Sequence, residues 1–153
     1  MIRLANESDD EFILSLMHDE LIWDHISDDN SVKQNSIDGN MIFLIAENDD
    51  GEKVGFFALK PINSICYEIH TAMSKKAWGM SIKYTAEVLA FAFNELGLLS
   101  IIALIPEGNT RVKSLAERSG FTMCGYLERS FLKNGVLIGQ YIFGVSKERF
   151  LCQ

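Results

Sequence analysis

The sequence predicts a mixed α/β fold in one domain, a mixed sheet with helices on both of its faces. Three observations predict it. Short apolar runs with strand character alternate with stretches of helical period along the chain. Turn residues, Asn48-Asp49-Asp50-Gly51 and Lys133-Asn134-Gly135, join neighbouring runs into hairpins. The 153 residues, 48% of them hydrophobic, are enough to bury a core without disulfides, metals or a partner.

Each element follows from local signals. Ile2-Arg3-Leu4 alternates as a short strand, and Ser8-Asp9-Asp10-Glu11 reads as a capping box ahead of a helix with Phe12, Ile13, Leu16 and Met17 on its apolar face. Between His18 and Asn40, Leu21, Ile22, Trp23 and Ile26 stand among many Asp, Asn and Ser, which predicts a second short helix and a loop. Met41 to Ala46 and Val54 to Leu59 are the two strands of a hairpin. Pro61-Ile62-Asn63 breaks the chain before a longer strand over Cys66 to Met73. The next helix carries apolar residues at Ile82, Ala86, Leu89, Phe93 and Leu96, with Lys83, Glu87 and Asn94 opposite, and closes at Gly97. Leu99 to Ile105 is an apolar strand, after which Asn109 caps a helix with Val112, Leu115 and Ala116 inward and Gly120 at its end. Phe121 to Phe131 and Val136 to Val145 form a final hairpin. No repeat or linker interrupts this order, so residues 1–153 read as a single domain.

Composition narrows the function. Residues 1–52 carry a net charge of −12 and the remainder +5, within a total of −7. A general nucleic-acid binder neutralises many phosphates with clustered Lys and Arg, so no nucleic-acid partner is expected. The acidic part suits a cationic acceptor, and equally a solvated face that aids solubility. The start of the chain lacks the apolar stretch of a signal peptide or membrane span, so a cytoplasmic protein with no membrane partner is expected. Cys66, Cys124 and Cys152 are widely spaced with no Cys-x-x-Cys pair, which predicts reduced thiols and no metal.

The segment that carries chemistry is the loop Ser74 to Ser81, between a strand and a long helix. The first N–H groups of a helix are unpaired and its dipole is positive there, so such a loop is a natural anion site. Gly79 lets a phosphate approach the backbone, Ser81 adds a hydroxyl, and Lys75 and Lys76 add charge. An ordinary strand-to-helix connection has the same outline, and one glycine does not separate the two.

The run Glu68-Ile69-His70-Thr71-Ala72-Met73-Ser74-Lys75-Lys76-Ala77-Trp78-Gly79-Met80-Ser81 resembles the coenzyme-A-binding motif of the GCN5-related N-acetyltransferase (GNAT) superfamily, Gln/Arg-x-x-Gly-x-Gly/Ala. Lys76 stands at the Gln/Arg position, Gly79 at the first glycine and Ser81 at the second small residue. Asn109 through Gly120-Phe121 is similar to the family's Asn-containing stretch, and the Asn134-Gly135 hairpin closes the chain as the family does. Trp78-Gly79, the run Ala90 to Gly97 and Asn134-Gly135 look most like the branch that acetylates ribosomal-protein N-termini and certain antibiotics. Glu68-x-His70 also resembles GNAT-like proteins encoded by bacteriophages.

This resemblance implies a mostly antiparallel sheet in which two parallel strands, Glu68 to Met73 and Leu99 to Ile105, splay apart around acetyl-CoA as co-substrate. N–H groups near Ala72 and Met73 would polarise the thioester, and Lys76, Ala77, Trp78, Gly79, Met80 and Ser81, with Asn109, would complete the cofactor site. The acceptor is an amine, on a small molecule or a peptide N-terminus, and it must lose a proton before attack. Glu68 is the first candidate base, its pKa raised by desolvation, and His70, on the same strand face, is the second. Both residues also admit a purely structural reading. The family's usual acid for the leaving thiolate is a Tyr where Ala116 stands, or a Ser where Val112 stands, so neither is present. Ser114 is expected to point away, and the facing of Tyr126 and Tyr141 is open. Those absences leave a second reading, a non-catalytic GNAT-fold binding or assembly protein of phage origin. Exposed terminal strands pair in this fold, which makes a homodimer an open expectation.

Overall fold

The computed structural model describes residues 1–153. Strands β1 (Ile2–Leu4), β2 (Ile42–Glu47), β3 (Lys53–Pro61), β4 (Cys66–Met73), β5 (Ser100–Pro106), β6 (Thr122–Lys133) and β7 (Val136–Ser146) form one sheet in the order β1-β2-β3-β4-β5-β7-β6. Every neighbouring pair is antiparallel except β4 and β5. The helices are α1 (Asp10–His18), α2 (Glu20–Ile26), α3 (Ser81–Asn94), α4 (Thr110–Arg118) and α5 (Lys147–Leu151).

Strand alternation sends successive side chains to opposite faces, and both faces are covered. Phe57 joins a large core with Tyr84, Val88, Leu89, Ala92 and Phe93 of α3 and with Ala116 of α4, while its neighbour Phe56 joins a smaller core with Ile13 and Leu16 of α1. The large aliphatic and phenyl side chains among these, such as Phe57, Val88, Leu89, Phe93 and Ile13, each contribute about 1.5–3 kcal/mol once fully buried. The mixed sheet with helices on both faces is therefore the observed architecture.

Three local expectations are corrected. The capping box lies two residues before Ser8. Asn6 Oδ1 accepts the Ser8 N–H, and Asp9 Oδ2 accepts the Asn6 N–H, each at 2.9 Å. Asp9 is thereby fully buried, bonded to Arg3 at 2.8 and 3.0 Å and to Lys53 at 2.6 Å, and is withdrawn from the exposed acidic face. In α3 the inward face runs through Tyr84, Thr85, Val88, Leu89, Ala92 and Phe93, with Ala86 exposed. A helix with apolar residues on most of its circumference leaves the facing of that row ambiguous from sequence. The short helix α5 was not foreseen, because a single inward aromatic, Phe150 packed at 5.4 Å on Phe93, makes no period.

The feature that positions the site is the gap between β4 and β5. Their parallel pairing runs only from Cys66↔Ser100 to Glu68↔Ile102, after which Ile69 to Met73 and Ala103 to Pro106 diverge. β5 pairs with β7 along its whole length and β4 with β3, so each strand is held while the two part.

Candidate active site

A cavity of about 490 Å³ borders this gap along the stretch of β4 beyond its last pair with β5. Thr71, Ala72 and Met73 form its β4 wall, and Trp78, Gly79, Ser81 and Ile82 form its floor at the start of α3. Asn109, Arg111, Val112, Ser114, Leu115 and Arg118 bring α4 to it from one side of the sheet, while Leu21, Ile22, His25 and Ile26 bring α2 from the other.

The α3 end has the chemistry of an anion cradle. The amides of Gly79, Ser81, Ile82 and Lys83 donate to no protein acceptor, and Met80, at the N-cap, offers no side-chain cap. Gly79 has φ +94, a left-handed conformation that favours glycine, and a Cβ there would meet nothing within 4 Å. Space and free donors thus coincide at the positive end of a 14-residue helix. A diphosphate fits this donor set, and Lys75 lies nearby with its Nζ 6.0 Å from the Trp78 ring centre.

Strand geometry also supplies donors beside the gap. Ser74 N–H bonds Val54 O at 2.9 Å, and antiparallel alternation then sends the amides of Ala72 and His70 to β3 as well. The Thr71 and Met73 amides point the other way, past the last β4–β5 pair at Glu68. Of the donors expected near Ala72 and Met73, Ala72's is therefore taken up by the sheet, while Thr71, unnoticed in the sequence, joins Met73.

The remaining sequence-derived residues divide. Ala72, Met73, Trp78, Gly79, Ser81 and Asn109 line the cavity. Asn109 also caps α4 through Val112 N–H at 3.3 Å and reaches the His25 carbonyl of α2 at 3.5 Å. Lys76, Ala77 and Met80 do not line it. Lys76 pairs with Glu52 at 3.1 Å, Ala77 is buried in the main core, and Met80 is turned to solvent.

Glu68 and His70 also lie outside the lining, side by side on the β4 face that carries α1 and α2. Glu68 is the last residue paired to β5, at the vertex of the gap, and its Oε1 is 3.5 Å from His70 Nε2. The expected pKa direction is reversed. The neighbouring His70 imidazole holds the Glu68 carboxyl below the ordinary glutamate value, outweighing its desolvation.

Ser114, expected to face away, lines the cavity, because Arg111, Ser114, Leu115 and Arg118 share one face of α4 at helical spacing. Beside His25 and Arg118, Arg111 is a lining residue that nothing in the sequence singled out. Its Cζ lies 3.9 Å from the Trp78 ring centre, across the mouth of the cavity. Tyr126 and Tyr141 do not reach the cavity. The Tyr126 hydroxyl donates to Glu107, which pushes its pKa up to about 12, and Tyr141 packs beneath Lys113 at 5.0 Å. No group of three or more His, Cys, Asp or Glu is placed to hold a metal ion, and no helix is long and apolar enough to cross a membrane.

A splayed β4–β5 pair beside an uncapped helix start is the arrangement that the resemblance to the GNAT superfamily implies, and the family comparison agrees. The family described as acetyltransferase (GNAT) domain matches residues 1–122, and the chain belongs to it. That match takes in the N-terminal third, which the motif resemblance did not cover. No curated protein matches the sequence. Among solved structures, the spermidine N-acetyltransferase of Vibrio cholerae in complex with CoA and spermine is similar with a TM-score of 0.85 at 19% identity, over 99% of this chain and 97% of that one. A variant of that enzyme gives 0.81 at 17% over 99% and 97%, and its complex with manganese ions gives 0.78 at 19% over 99% and 95%. At such identities the likeness is one of fold.

Proposed function

We propose that this protein, as one domain of residues 1–153 in the cytoplasm, transfers the acetyl group of acetyl-CoA to a primary amine. The observation that carries the reading is the set of free amides at Gly79 and Ser81 to Lys83, opening into the gap where β4 leaves β5. They would take the pyrophosphate, with Gly79 allowing its close approach. The Thr71 and Met73 amides would donate to the thioester oxygen as negative charge develops on it. Glu68 would take the ammonium proton, directly or through water, with His70 holding its carboxylate. The nitrogen lone pair then attacks, the C–S bond breaks, and the second proton lost by the nitrogen passes to the departing thiolate, with the Ser114 hydroxyl, which lines the cavity from α4, as a relay that gives up one proton and takes another.

The acceptor is a small amine or a peptide N-terminus. The acidic N-terminal third favours a cationic one such as a polyamine, the class seen in the CoA and spermine complex of the Vibrio cholerae enzyme. Similarity of Trp78-Gly79 and Asn134-Gly135 to the ribosomal N-terminal branch keeps the peptide acceptor in the proposal. The exposed edge strand β6 is the surface on which a homodimer would form.

Thermal unfolding with acetyl-CoA tests the reading. A ligand at a hundredfold excess over Kd adds about 2.7 kcal/mol to native-state stability. Gly79→Glu, which puts charge and bulk at the helix start, abolishes the shift. No stabilisation of the natural sequence by millimolar acetyl-CoA overturns the proposal. Stabilisation with no thiol release from any amine or peptide identifies the non-catalytic binding protein instead, a reading favoured by Val112 and Ala116 where the family has its acids.

A further inference from the structure

Arg111 is a cation without an anionic partner. No carboxylate lies within ion-pairing distance of it and it makes no hydrogen bond to the protein, yet it is held in place, its guanidinium 3.9 Å from the Trp78 ring centre. Trp78 is 49% exposed, too open to be part of the core, and sits in a 3₁₀-to-helix connection directly before Gly79. Both side chains line the cavity, one from the α3 turn and one from α4. Stacking covers one plane of a guanidinium and leaves its N–H edge free, fixed in direction before a ligand arrives. A fixed fork of donors matches the oxygens of a phosphate monoester better than those of a diphosphate already served by backbone amides.

We propose that Trp78 and Arg111 form a subsite for the ribose phosphate monoester of the CoA nucleotide, separate from the amide cradle that takes its pyrophosphate. The inference rests on the acetyl-CoA reading. The two phosphate groups of CoA hang from the same ribose, as Trp78 and Gly79 are adjacent in the chain. Trp78 acts as a positioning residue that holds Arg111, and Arg111 makes the contact. The monoester carries close to two negative charges at neutral pH, so the interaction is strong where a neutral group would gain little.

CoA and dephospho-CoA, which lacks only this monoester, separate the roles by titration calorimetry. The natural sequence binds CoA about tenfold more tightly than dephospho-CoA, a margin of the size one charge-assisted pair supplies. Arg111→Ala removes the margin by weakening CoA alone, R111K restores part of it because a point charge lacks the fork, and Trp78→Ala reduces it through loss of the platform. Equal affinities in the natural sequence, or equal weakening of both ligands by Arg111→Ala, overturns the subsite and leaves the cofactor reading standing. Binding of neither ligand to the natural sequence overturns both. Arg111 lies on the surface of α4, and far-ultraviolet circular dichroism with an unchanged Tm confirms that its variants fold.

Discussion

Glu68 and His70 sit on one face of β4 with Oε1 and Nε2 3.5 Å apart, where that strand parts from β5. The contact makes Glu68 a weaker base than an isolated glutamate, since His70 favours the ionised carboxylate. Glu68 is therefore ionised throughout the neutral range, and no limb of the rate profile near neutrality belongs to it. Glu68→Gln lowers kcat by roughly 10²-fold, the lower end of what a positioned base supplies. His70→Ala raises the Glu68 pKa toward its ordinary value, which a carboxyl-resolved NMR titration of the two proteins measures directly. An unchanged Glu68 titration in His70→Ala would show that the pair has no electrostatic coupling.

Asp9 anchors the first strand to the first helix and to β3. Its side chain is fully buried and bonded to Arg3, Lys53 and the Asn6 amide, which together hold its carboxyl far below the ordinary range. Asp9→Asn leaves Arg3 and Lys53 without this partner and destabilises the fold by about 3 kcal/mol at pH 7. The folded pKa is depressed, so the carboxylate's contribution is complete above the unfolded value and is lost as pH falls toward the folded one. Urea midpoints compared across pH show the gap between the two proteins holding from pH 7 to 5, then narrowing below about pH 4.

The apolar runs Met41 to Ala46 and Val54 to Leu59 and the turns at Gly51 and Gly135 made the sheet legible, because short apolar runs and turn chemistry are local, whereas the division of Phe56 and Phe57 between two cores shows no period in a run that is apolar throughout. The β4–β5 gap followed only from the resemblance carried by Lys76, Gly79, Ser81 and Asn109. Residues that act through tertiary placement were not legible. Ser114 and Arg111 become lining residues because α4 is rolled by Val112 and Ala116 packing on the core, and no signal within α4 fixes that roll. Arg111, lying two residues after a capping Asn, was nonetheless a readable cation near a helix start. Lys76 shows the converse, a motif position whose charge is taken by Glu52, 24 residues away.

Asp29 ties the segment after α2 to the β6–β7 turn. It accepts the Asn134 and Gly135 amides at 2.8 and 2.7 Å, and Lys133 bonds back to the Ser27 carbonyl at 3.0 Å. The contacts are on the surface, so Asp29→Ala changes the global unfolding midpoint little. The two turn amides lose their acceptor and exchange with solvent at least roughly tenfold faster, as for a locally opened segment. Hydrogen-exchange NMR at those two positions reads the effect. Unchanged protection would show that the turn holds itself and that α2 is not fastened to it.

Gly55 and Gly79 are both close to the cavity, and they predict opposite kinds of failure. A Cβ at Gly55 would lie 2.2 Å from Met73 Sδ, which can swing away, and 2.8 Å from the Ala72 carbonyl oxygen, which is fixed in the β3–β4 ladder. Gly55→Ala therefore forces β3 from β4 opposite the wall residues Ala72 and Met73, at a cost of about 1–3 kcal/mol. Because the strain falls on the strand whose Met73 amide faces the gap, acetyl-CoA affinity falls together with stability. At Gly79 the space is open and only the left-handed φ of +94 opposes a side chain, so Gly79→Ala costs about 1 kcal/mol through the backbone. Its loss of affinity exceeds its loss of stability, since the strained peptide is the one that meets the diphosphate. Thermal unfolding of both variants with and without acetyl-CoA checks the contrast. A Gly55→Ala protein with full stability and full affinity would mean that β3 and β4 yield there at no cost, and that the wall of the cavity is not set by their close approach.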